Sequence, residues 1–169
     1  MNFKELVDLS YNTIDETDYD EQVESIVKNA INKAYLDLSN IDKRVARAYV
    51  PIINGVATIP NNCNKIIKTI PKLTFEDKII GGSIITDKEG VIELLYSYTR
   101  EPMIEDTDEP DLNITLQYAL STYACYKYFE YRKKMDVANG FLNNFMQEVN
   151  SFNSNMDNTP ERIVEVGDE

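Results

Sequence analysis

Histidine is missing from the 169-residue chain altogether, and with it the commonest general base, pH switch and zinc ligand. Cysteine is scarce: Cys63 and Cys125 are the only two, isolated and without metal-ligand spacing. They read as free thiols of a protein made in a reducing cytoplasm. Neither has an evident activating base, so neither reads as a nucleophile. Cys125, on an aromatic helical stretch, reads as a small core residue. No apolar run is long enough to cross a bilayer, and "MNFKELVDLS" lacks the basic and apolar regions of a signal peptide. Neither GxxxxGK[ST] nor GxGxxG occurs, and Gly81-Gly82 reads as a hairpin bend rather than a phosphate loop. These absences lead to an expectation of no catalytic residue, no metal and no cofactor.

What is present suits a globular chain of one-domain size, 43% hydrophobic and 27% charged. The net charge of −12 is segregated. Residues 1–24 hold eight acids and one base, 25–99 hold ten bases and seven acids, and 100–169 hold fourteen acids and six bases. An acidic chain is poorly suited to gripping phosphates. Besides serving solubility, charge divided in this way fits partners or copies that meet acidic end to basic middle.

Periodicity divides the chain further. Phe3, Leu6, Val7, Leu9, Tyr11 and Ile14 form a short helical pattern. After a start capped by Thr17 or Asp20, Val23, Ile26, Val27, Ala30, Ile31, Ala34, Tyr35 and Leu38 give the best amphipathic helix. Asn54-Gly55 accepts the positive φ of a tight hairpin turn between β-branched runs. Pro71 suits an edge strand or a strand end. The helical period returns from Leu112 and again near Asp136, where Gly140 implies a kink or a close contact. The expected fold is α+β and mainly helical. A bundle of long helices (3–14, 20–39, 112–133 and 136–152) has a small antiparallel β-hairpin sheet (48–99) inserted between its N-terminal and C-terminal helices. One domain then covers 1–152, and 153–169 form an extended tail.

Two features could carry function. The acidic run Glu105, Asp106, Asp108, Glu109 and Asp111 lacks the central glycine and distal glutamate of an EF-hand, and its prolines stiffen it. It reads better as the charged cap of the following helix. With no tryptophan, the eleven tyrosines carry much of the aromatic surface. Tyr118, Tyr126, Tyr128 and Tyr131 with Phe141 and Phe145 give residues 112–152 more apolar surface than one core can cover. Few bases accompany them, so protein contact fits better than base stacking, and these six are the expected inter-subunit residues.

The stretches "VKNAINKAYLDLSN", "NGVATIPNNCNKIIKTI", "GVIELLYSYTREPMIEDTDEPDL" and "LQYALSTYACYKYFEYRKKMDVANGFLNNFMQEV" cover most of residues 20–150. Their order is a strand ending in "IPNNC", an apolar strand leading to Pro102, and an acidic loop entering a helix rich in Ala and Tyr. In this the chain resembles the head–tail connector (adaptor) proteins of tailed bacteriophages. The resemblance implies a structural virion protein, not an enzyme, assembled in the host cytoplasm and located at the head–tail interface. It implies a ring of twelve copies docked beneath the portal protein and above a downstream tail or second ring protein. DNA would pass through the channel without specific binding, and no membrane would be involved. Arg100–Pro110 would then be a hinge between the sheet and the helical body.

Arg162, Ile163, Val164, Glu165 and Val166 alternate like a strand added to an exposed sheet edge. They are the expected docking tail to the portal or a neighbour, with folding back onto the chain's own domain as the other possibility. Two rival readings stand beside the connector. One is an acidic regulatory or DNA-mimic phage protein that binds a host or phage protein. The other is an enzyme that uses only carboxylates and tyrosines.

Overall fold

Helix α1 (Phe3–Ile14) begins at a reciprocal cap. The Asn2 side chain accepts from the Glu5 N–H, and the Glu5 carboxylate accepts from the Asn2 N–H. Its 3.6-residue period buries Phe3, Leu6, Val7, Tyr11 and Ile14. The computed structural model describes residues 1–15, 20–156 and 163–165. Helix α2 (Glu21–Leu38) starts at Asp20, whose carboxylate accepts from the Gln22 N–H. Thr17, the other expected cap, lies outside the described residues.

The chain divides into two compact units. The helical unit combines Met1–Asp42 with Glu101–Thr159, and the sheet unit combines Lys43–Arg100 with Pro160–Glu169. In the helical unit, helix α3 (Ile114–Tyr131) packs against α1, α2 and helix α4 (Met135–Met156). The α3–α4 turn closes through Lys133, at φ 57°, with Lys134 N–H donating to Phe129 and Lys133 N–H to Glu130. Contrary to the expected kink or close contact, α4 runs through Gly140, where an added Cβ would meet nothing. It also continues past Phe152, whose ring is buried, into the polar stretch expected to begin the tail.

The sheet unit holds strands β1 (Val45–Pro51), β2 (Val56–Thr58), β3 (Cys63–Ile70), β4 (Lys78–Ile80), β5 (Ser83–Ile85), β6 (Val91–Tyr98) and β7 (Ile163–Glu165). They form two sheets where the sequence suggests one. The larger has the order β3-β6-β1-β7, antiparallel except for the parallel β1–β7 pair. The smaller has the order β2-β5-β4 and is antiparallel. Asn54 and Gly55, both at positive φ, close a two-residue turn, and Ile53 and Val56 exchange both backbone hydrogen bonds across it. Gly81 and Gly82, also at positive φ, make the bend between β4 and β5. Pro71 follows the last residue of β3, which is an edge strand. The period-2 alternation of β6 turns Ile92, Leu94 and Tyr96 inward against Ala46 and Val50 of β1.

Candidate interaction surfaces

The proline-bracketed acidic loop is tied down largely by its own backbone. Phe3 and Lys4 at the start of α1 donate their N–H groups to the carbonyls of Asp108 (2.7 Å) and Asp106 (3.1 Å). The Asn32 amide on α2 clamps Met103 in both directions, each bond 2.8 Å, and the Met103 side chain is buried. Asp108 takes the N–H groups of Ile104 and Glu105, at 2.7 and 2.8 Å. Those two bonds hold its carboxyl below the usual range.

The loop therefore serves α1 rather than α3. Helix α3 is capped instead by Asn113, which accepts from the Thr115 N–H, while Asp42 receives the Asn113 N–H at 2.9 Å. The expectation that Asp108–Asp111 cap α3 is corrected accordingly, since no acid stands in its first turn. From Glu101 onward the junction belongs to the helical unit. Ile104, at its tip, is 77% exposed.

The six expected contact residues fall into four groups. Tyr118 (52% exposed) and Tyr131 (42%) are open to solvent. Tyr128 is core instead, 6% exposed, with its hydroxyl accepting from Arg132 Nε at 3.2 Å. Phe141 and Phe145 close the α3–α4 seam: Phe141 stacks on Phe129 with ring centroids 5.4 Å apart, and Phe145 tilts against Tyr123 at 5.1 Å. Tyr126 is half-buried, donates to Glu130 Oε1 at 2.9 Å and sits beneath the Lys127 ammonium. Much of the aromatic surface of α3 is thus covered by its own helical neighbours. Ile114, Met135, Val137 and Met146 are exposed with Tyr118 and Tyr131.

The tail candidates divide as well. Ile163, Val164 and Glu165 pair with Val45, Ala46 and Arg47 of β1, on the edge of the larger sheet. In the single chain, the strand-addition partner is the chain's own sheet. Arg162 and Val166 lie outside the described residues.

Sequence reasoning missed the exposed apolar surface of the sheet unit. In the β2-β5-β4 sheet, register places Val56, Ile85 and Lys78 across from one another, with Thr58, Ser83 and Ile80 as the next rank on the same face. Val56, Ile85 and Ile80 are all exposed there, while Ala57 and Ile84 on the opposite face are buried. Phe75, in the turn before β4, is 94% exposed.

That turn is pinned on both sides. Leu73 N–H donates to Thr69 Oγ1, and the Leu73 side chain packs on the sheet core. Asp77 Oδ2 accepts from the Thr74 N–H and hydroxyl and from the Lys88 ammonium, which holds its carboxyl far below the usual range. A fixed turn thus presents a bare phenyl ring, and its signal in sequence was only "LTFEDKII".

Neither thiol is poised to react. Burial pushes Cys125 up to about 12 and also raises Cys63. Among the described residues no group of three or more His, Cys, Asp or Glu could hold a metal ion, and no helix is long and apolar enough to cross a membrane. The chain matches no family model and no curated protein.

Proposed function

We propose that this chain is a structural protein of a tailed-phage virion, a head–tail connector. It forms a ring beneath the portal and joins the portal to the tail. The observation that carries the reading is the order of elements: two helices, an inserted hairpin-built β region, an acidic loop, a helical hairpin and a terminal strand. It is the order of the connector resemblance. The division of charge between the two units and the solvent-facing Tyr118 and Tyr131 support a role in assembly.

In this role the chain catalyses nothing and DNA passes through the ring without being read; the strand Ile163–Glu165, paired with β1 in the single chain, would have to leave that edge to dock on the portal or a neighbour. The test is the native mass of the purified protein, alone and with portal-bearing heads. A ring, or assembly that requires the portal, is expected. A monomer that neither self-associates nor binds heads would overturn the reading. Tyr118→Glu and Tyr131→Glu are expected to weaken assembly while leaving the melting temperature nearly unchanged, because both side chains are already in solvent.

A further inference from the structure

The sheet unit and the acidic loop are complementary surfaces on one chain. Residues 43–100 carry nine basic and five acidic side chains, whereas 1–42 with 101–159 carry seven basic and twenty acidic. On the sheet unit, Lys72 and Lys78 flank Phe75 in sequence, and Ile80 shares a sheet face with Lys78. Both lysines are exposed and, among the described residues, neither makes an ion pair. On the loop, Ile104 lies in sequence between Glu101 and Glu105, with Glu109 further on; all three acids are exposed and, among the described residues, make no ion pair. Each surface offers an exposed apolar side chain with one sign of charge prevailing near it along the chain: the acids around Ile104, and Lys72 and Lys78 against the one exposed acid, Glu76, beside Phe75. Each is also held by bonds that do not depend on a partner, the loop through Asn32 and Asp108 and the turn through Asp77.

We propose that the Phe75 turn and the outer face of the β2-β5-β4 sheet dock onto the acidic loop of a second copy of this chain, with Phe75 and Ile80 meeting Ile104 and the lysines facing Glu101, Glu105 and Glu109. The inference rests on the ring reading above and names the two surfaces that meet in it. Such a contact is head-to-tail: each copy offers one surface to each of two neighbours, so it propagates and closes only as a ring. Phe75 supplies the desolvated anchor, and the charges set register and encounter rate. Because the charges sit at the rim, salt weakens the contact.

The test uses two full-length variants, Lys72→Glu/Lys78→Glu and Glu105→Lys/Glu109→Lys, with Phe75→Ser as a third. All the positions are exposed, so folding should be unaffected, and circular dichroism and melting temperature check this. Sedimentation of each variant alone should show association weakened about tenfold or more. An equimolar mixture of the two charge variants should recover it, because each then offers the sign the other needs. If the wild type assembles and the lysine variant assembles equally well, this contact is wrong and the ring reading survives. If the wild type neither self-associates nor binds heads, both fall. Weakened variants that are not rescued by mixing would show that the lysines meet some other surface, and that too overturns the proposal.

Discussion

The two units answer the same problem differently. The helical unit gathers twenty-two buried residues around α3, from Phe3 to Phe152. The core cluster of the sheet unit holds seven, Ala46, Val50, Ala57, Ile84, Ile92, Leu94 and Tyr96, while Tyr49, Ile53, Phe75, Ile79 and Ile80 are exposed. A sheet of three-residue strands has little interior, and its second face stays in water unless something covers it. The helical unit has the larger core, and several of the sheet unit's large apolar side chains lie in solvent.

The largest expected effect comes from emptying the smaller core. Leu94→Ala, at a fully buried position, should cost about 2–5 kcal/mol. Hydrogen exchange should then show the amides of β1, β3 and β6 losing protection while those of α3 keep theirs. Equal loss in both units would break the contrast.

Asp77→Ala should come next, because it releases Thr74 and Lys88 together. The melting temperature should fall, and the Phe75 turn should become open to protease. The folded-state carboxyl of Asp77 is held below its unfolded value. Its stabilisation is thus fully present above the ordinary carboxylate range and is lost only as pH falls through and below it. Melting curves of variant and wild type should converge in strong acid; a gap that widened on acidification would contradict the assignment.

In the helical unit, Gly140→Ala should add about 0.5–1 kcal/mol, since the position is exposed in mid-helix and a Cβ there meets nothing. No rise in melting temperature would mean that the glycine has a use in assembly.

Glu148→Gln should give the smallest shift. Burial raises this carboxyl despite the Thr122 hydroxyl bond, and Oε2 has no hydrogen-bond partner. A carboxyl raised on folding favours the folded state below its unfolded value, and the benefit fades as pH rises through the folded one. The glutamine variant should accordingly be slightly more stable at neutral pH and should lose that advantage in acid. Melting temperature against pH checks the sign.

Much of this architecture was legible in the residues. The 3.6-residue period located all four helices because each buries a continuous stripe. Asn54-Gly55 and Gly81-Gly82 marked their turns because positive φ excludes most other residues there. The division into two sheets was not legible. β2, β4 and β5 are three residues each, and nothing local in "VAT" says that it pairs with "SII" across the Cys63–Ile70 strand.

The sequence alone determined the local elements, the absence of histidine and the segregation of charge, because these depend on neighbours along the chain or on composition. Tertiary structure decided that Tyr128 is core while Tyr118 is surface, and that Asp106 and Asp108 serve α1 through their carbonyls. It also decided that Phe75 stands in solvent. A backbone carbonyl is the same in every residue, and an aromatic ring reads alike whether covered or bare. Only the packing of distant segments distinguishes them.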